Sequence, residues 1–191
     1  MNKALIIGVT VLSFGLVGCT SNSSTSSKGS STSSTATTKL THKQMVDIYN
    51  STANAEANVW NKFTNSIKAN DTKMMSGSAD DANVIYTKNL ATLSNHKGEK
   101  YVADLTTFVK DSQTVANDYL ATATLNSDMQ KAVTKGANSS IKVRKELNIS
   151  SPQKLNDAIN SASTAIKQLP GVTGKTIQTT DYTITITSTE T

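Results

Sequence analysis

Residues 99–124 read EKYVADLTTFVKDSQTVANDYLATAT, and this stretch decides the fold. At about 100° per residue, Tyr101, Leu105, Phe108, Val109, Val115, Ala116, Tyr119 and Ala123 gather on one side. Threonine, lysine and aspartate occupy the other. A single apolar stripe on a long segment without proline is the mark of an amphipathic helix that buries one face.

The same period runs outward in both directions. Upstream, 41–69 places Met45, Ile48, Thr52, Ala55, Val59, Phe63 and Ile67 on one face, flanked by Tyr49 and Trp60, with Thr41 as the expected N-cap. Residues 71–94 stack Met75, Ala79, Ala82, Ile85, Tyr86, Leu90 and Leu93. They are expected to form one helix capped by Asp71, with Gly77 on its outer face. Downstream, 127–147 aligns Met129, Val133, Val143 and Leu147, weakened by Gly136 and Ser140 on the same face. Residues 152–169 align Leu155, Ala158, Ile159, Ala162, Ile166 and Leu169 behind Ser151-Pro152, a cap followed by proline at the first helical position. The connections between these segments are only a few residues, which makes consecutive helices antiparallel neighbours. The expected fold is all-α. It is an up-and-down bundle of four to five antiparallel helices over 40–170, the size of one domain, with a disordered N-terminal linker and an extended or disordered tail over 171–191. In that tail Tyr182, Ile184 and Ile186 alternate with threonines, a strand pattern without an obvious partner in the sequence.

Ahead of the bundle the composition changes twice. Of residues 20–39, fifteen of twenty are Ser or Thr and none is a large apolar residue. Such a segment buries too little surface to offset its ordering entropy and reads as a flexible spacer. Before it, Lys3 precedes a thirteen-residue apolar run, Ala4 to Leu16, broken only by Gly8, Thr10, Ser13 and Gly15. A bilayer core needs about 20 apolar residues, so the run is too short to span one and fits a secretory signal over 1–18. It ends in Leu16-Val17-Gly18-Cys19, which resembles the lipobox of bacterial lipoproteins. The resemblance covers the signal and Cys19 alone. It implies lipidation of the Cys19 sulfur, cleavage before it, and retention at the extracytoplasmic face of a cell membrane. Cys19 is the chain's one cysteine, so no intramolecular disulfide forms and the anchor accounts for the thiol.

Motifs for chemistry are sparse. His42 and His96 stand apart, without a metal-ligand spacing, and read as exposed polar residues. Asp104, Asp111 and Asp118 recur every seven residues, about 10.5 Å apart along a helix, too far to share one ion and best read as a solvated flank. Glu56 falls within the apolar sector of the first helix, where a lone buried carboxylate is costly. It is expected at the stripe's edge, reaching solvent. Otherwise Glu56, Trp60 and Tyr49 line a polar pocket and become the first tentative ligand contacts. Asn50, Asn54, Asn58, Asn61 and Asn65 share an arc of about 80° opposite the stripe, a solvated surface or a hydrogen-bonding face for glycan or protein. No catalytic triad, phosphate loop or nucleophile elbow is present. The sequence therefore assigns no catalytic residue, no cofactor and no metal. The net charge of +5 is spread along the chain and lacks the basic patch that nucleic acid requires. The expected partners are the membrane, through Cys19, and an envelope protein or wall polymer. The rival expectations are a ligand-carrying accessory lipoprotein of a transport system and an enzyme acting on wall or glycan, which needs two carboxylates roughly 5–10 Å apart across a cleft.

Overall fold

The computed structural model describes residues 38–75, 77–169, 175–178 and 183–186. The expected signal peptide, Cys19 and all but the last two residues of the expected spacer lie outside the described residues. So does most of the tail.

The described chain is a helical bundle. Helix α1 (His42–Ala69) is its axis: it meets α2 (Asp80–Ser94), α3 (Val102–Thr114), α4 (Ser127–Leu147) and α5 (Gln153–Ile166). It starts in a capping box. Thr41 Oγ1 accepts from Gln44 N, and Gln44 Oε1 accepts from Thr41 N at 2.8 Å. Asn70 ends it in the left-handed conformation. Because neighbours surround α1, its burial extends well beyond one stripe. Tyr49, Ala53, Ala57, Trp60 and Phe63 are all buried, and the asparagine strip is what remains outside. Tyr49 ties α1 to α3 by stacking on Phe108 at 4.8 Å, and within α1 Trp60 meets Phe63 edge-on.

Three expectations about helix limits are corrected. The segment 71–94 is not one helix. Asp71 caps a short 3₁₀ turn (Thr72–Met75), where its Oδ1 accepts from Lys73 N, and α2 begins only at Asp80. Gly77 sits between them at φ +74°, a conformation a right-handed helix cannot contain. The segment 99–124 begins later and ends differently. Tyr101 has φ +70° just before α3, and after Thr114 the chain widens into a π turn over Val115–Leu120. Its buried positions Ser112, Ala116 and Leu120 recur in steps of four. An α-helix drifts by about 40° at each such step, and a wider turn takes up that drift. The last helix starts at Gln153. Ser151 does not cap it, since its hydroxyl accepts from Asn156 Nδ2 at 2.8 Å instead.

The tail finds a partner within the chain. β2 (Thr183–Ile186) pairs antiparallel with β1 (Lys175–Gln178), in the register Lys175 to Ile186 and Gln178 to Thr183, and β2 lies against α5. The sequence pattern signals only the second of these strands.

Candidate functional site

Two polar regions stand out, one inside the bundle and one on its surface.

The interior region corrects the reading of Glu56 as a residue reaching solvent. Its side chain is 5 % exposed, and its Oε1 accepts from Trp60 Nε1 at 3.3 Å. Burial pushes the carboxyl pKa up. The Ser112 hydroxyl and the indole N–H favour the charged form, while Asp111 again opposes it. Tyr86, buried nearby, is also pushed up, first by burial and then by the charge of Glu56. The Tyr86 hydroxyl has no hydrogen-bond partner, and the Ser112 hydroxyl lies close enough to Glu56 to act on its charge but outside hydrogen-bonding geometry. The net effect of burial is to shift Glu56 toward its neutral form. Tyr49, the third residue of the expected pocket, is fully buried and shares a 2.8 Å hydrogen bond with Ser140 of α4. Ser140, a polar residue on the otherwise apolar face of α4, is there to meet it. Tyr49, Glu56 and Trp60 thus form part of the packed interior, and none of them lines the surface clefts described below.

The aspartate series is corrected in two of its three members. Asp111 is buried and Asp104 half-buried, facing α4, where Lys135 Nζ lies 2.9 Å from Asp111 and Lys142 Nζ 2.7 Å from Asp104. Lys142 holds the Asp104 carboxyl below its ordinary value, whereas burial and the nearby Asp104 raise that of Glu146. Only Asp118, carried off phase on the π turn, is solvated. The same turn brings Asn117 to Asn83 of α2 in a reciprocal amide pair at 2.9 and 3.0 Å. The histidines are engaged too. His96 Nδ1 lies 2.8 Å from Glu99, which also accepts from Leu40 N, and His42 Nε2 lies 2.9 Å from the carbonyl of Leu147.

The surface region is a groove between α1 and α2. A cleft of about 410 Å³ has an apolar floor of Ala55, Val59, Ala82 and Ile85 and a polar rim of Asn58, Asn61, Lys62, Ser78 and Asp81. It runs into a second cleft of about 290 Å³, where Asn65 and Met74 join Lys62 and Ser78. Lys62 and Asp81 face each other across it at 3.1 Å, which leaves the rim neutral. Ser78 is 3 % exposed, yet its Oγ has no partner. Nothing in the sequence points to Ser78, because 71–94 reads as continuous helix. The break at Gly77 is what turns it toward α1. All five asparagines of the α1 strip are exposed. A separate cleft of about 470 Å³ lies where α2 turns into α3, floored by Leu90, Leu93 and Val102, with Lys97 and Lys110 at its edge. A fourth follows the Asp104–Lys142 and Asp111–Lys135 pairs between α3 and α4.

Among the described residues no helix is long and apolar enough to cross a membrane, and no three His, Cys, Asp or Glu side chains cluster closely enough to hold a metal ion. Comparison with family models, with curated proteins and with solved structures returns no match. The fold and site define a helical bundle with a packed apolar core that encloses a few polar side chains, and a neutral, amide-rimmed surface groove.

Proposed function

We propose that this protein is a bacterial surface lipoprotein, held at the extracytoplasmic face of a cell membrane by a lipidated Cys19. Its bundle binds an envelope protein or wall polymer and catalyses no reaction. The observation that carries this reading is the run of Leu16-Val17-Gly18-Cys19 behind a short apolar segment and ahead of a Ser/Thr-rich spacer. Two acyl chains give the stable anchoring that one does not. The spacer, at about 5–6 Å × √n, lets the bundle stand roughly 25 Å from the membrane.

The geometry supports a binding role over the two rivals. A carrier of small ligands needs an internal cavity, and the expected one is filled by the contacts among Tyr49, Phe108, Trp60, Glu56 and Ser140. A glycan-cleaving enzyme needs a carboxyl pair free to trade protons. Asp104 and Asp111 share a groove and are each paired with a lysine, and Glu146, the carboxyl beside Asp104, lies under the influence of the same Lys142.

The test is Cys19→Ser in the native host. The protein is expected to leave the membrane fraction for the medium and to lose incorporation of labelled palmitate. Retention of the serine variant in the envelope, or a mature protein that starts elsewhere than residue 19, refutes the anchor.

A further inference from the structure

The two ends of the bundle differ in charge. One is the end where α1 begins. There Leu40 N donates to Glu99 in the connection between α2 and α3, and His42 Nε2 meets the carbonyl of Leu147, the last residue of α4, at 2.9 Å. The start of α5 joins them through the short connection after Leu147. Over these connections and the four helical residues beside each, seven side chains are basic and three acidic. The same count at the opposite end gives three basic and five acidic. Lys39, Lys97, Lys100, Lys145 and Lys154, at the basic end, are exposed, and none forms a salt bridge among the described residues. With 28 residues, α1 is about 42 Å long. The acidic end thus lies several Debye lengths from the basic one, at about 8 Å each, and does not cancel its field.

From this polarity we infer that the basic end of the bundle docks on the anionic lipid headgroups of the membrane that holds the anchor. The inference rests on the proposed anchor at Cys19, which puts that membrane beyond Lys39 at the same end of the bundle. A short tether presents its two ends to each other at an effective concentration of millimolar order. Lipid is what Cys19 brings to this surface, whereas an anionic wall polymer has no such link and meets every face alike. Each lysine near an anionic leaflet strengthens the contact by about fivefold, and the acidic end is repelled, so the bundle stands end-on. The cleft of about 470 Å³ where α2 turns into α3 opens at this end. Lys97 and Lys110 stand at its edge, and half-buried Leu90 and exposed Ala103 give it apolar surface within reach. A lipid offers phosphate and hydrocarbon side by side, and a wall polyphosphate offers only the first. Among the described residues the exposed large apolar side chains, Met74 and Val84, lie in the other half of the bundle. The contact is therefore made at the headgroups, and salt weakens it. It lasts while the tether holds and is lost on dilution, in keeping with release of the Cys19→Ser protein to the medium.

The test uses the full chain carrying Cys19→Ser, sedimented with large vesicles at about 50 mM and about 300 mM salt. One set of vesicles is phosphatidylcholine and phosphatidylglycerol in equal parts, and the other is phosphatidylcholine alone. Binding at least about tenfold tighter to the anionic vesicles at the lower salt is expected, with most of that preference lost at the higher. Replacing Lys97, Lys145 and Lys154 together by glutamine is expected to lower affinity for the anionic vesicles at least about tenfold. Replacing Lys68, Lys73 and Lys167 by glutamine removes the same charge from the opposite end and is expected to leave affinity within about twofold. All six lysines are exposed, so both variants are expected to melt with the parent. Residues 1–37 are common to both, so any pull they exert on vesicles cancels. Equal binding of the two vesicle types or equal loss in the two variants overturns the proposal. So does displacement from the vesicles by soluble poly(glycerol phosphate) at matched phosphate, which assigns the surface to a wall polymer. The anchor is read separately. A chain that keeps the vesicle preference but stays in the envelope as the serine variant refutes the anchor, and one released without any vesicle preference refutes the docking surface.

Discussion

Replacing Glu56 by glutamine is expected to stabilise the protein above about pH 5 and to change the shape of its stability profile. In the folded state the carboxyl is buried and its pKa is raised, chiefly by desolvation. In the unfolded chain it titrates near the ordinary glutamate value of about 4.3. The folded state therefore holds its proton over a window in which the unfolded state has lost it. The stability attributable to this group is complete below the unfolded value and falls as pH rises through the window, up to the folded pKa. One pKa unit corresponds to about 1.4 kcal/mol, so within that window the wild type loses about 1.4 kcal/mol per pH unit from this group. The glutamine variant loses nothing from it. Glutamine has nearly the same shape, and its carbonyl still accepts from Trp60 Nε1, so below pH 4 the two proteins are expected to agree within about 0.5 kcal/mol. Glu99 and Asp104 act in the opposite sense. Their carboxyls are lowered, by His96 and by Lys142 respectively, so what they contribute is lost as pH falls. They are common to both proteins and cancel in the difference. The assay is urea unfolding of each protein from pH 4 to 8, followed by tryptophan fluorescence, since Trp60 is the chain's one tryptophan and contacts residue 56. A difference that stays flat with pH, or a variant less stable than wild type by more than about 1 kcal/mol at pH 7, refutes the account of a protonated buried carboxyl.

Other substitutions probe separate parts of the fold. Tyr49→Phe strands the Ser140 hydroxyl and is expected to cost about 1–2 kcal/mol, while the double change with Ser140→Ala recovers part of it, because both partners are then apolar; a cycle without coupling contradicts the bond. Gly77→Ala is expected to cost about 1 kcal/mol or more, given φ +74° and an Asp80 carboxylate oxygen 3.1 Å from the added methyl. Gly136→Ala should do the reverse, gaining about 0.5–1 kcal/mol, because its methyl meets only the Asp111 Cβ at an ordinary 3.9 Å and alanine is the better helix former. Thermal melts of the two glycine variants are expected to move in opposite directions.

The helices and their order were legible in the sequence because burial of one face imposes a period of 3.6 that survives without knowledge of the neighbours. Thr41 as a cap and the stripe through Ile48, Val59 and Phe63 follow from local chemistry alone. The apolar run ahead of Cys19 and the Ser/Thr-rich stretch behind it are features of composition and order alone, and the anchor and spacer roles read from them belong to the proposed function. What a side chain meets across the bundle is not local, and there the readings diverged. Glu56 looked exposed because a lone acid is costly inside, but α1 is surrounded, and its second face has no water to offer. Asp104 and Asp111 looked solvated because Lys142 and Lys135 sit 38 and 24 positions away and meet them only after α4 folds back on α3. Gly77 read as a tolerated flaw in a helix, whereas its positive φ ends the 3₁₀ turn and sets Ser78 against α1. The sequence alone determined which segments are helical and where the main apolar stripe of each runs, but not where each helix begins and ends. Only tertiary structure decided which polar groups are enclosed, since enclosure depends on neighbours that periodicity does not name.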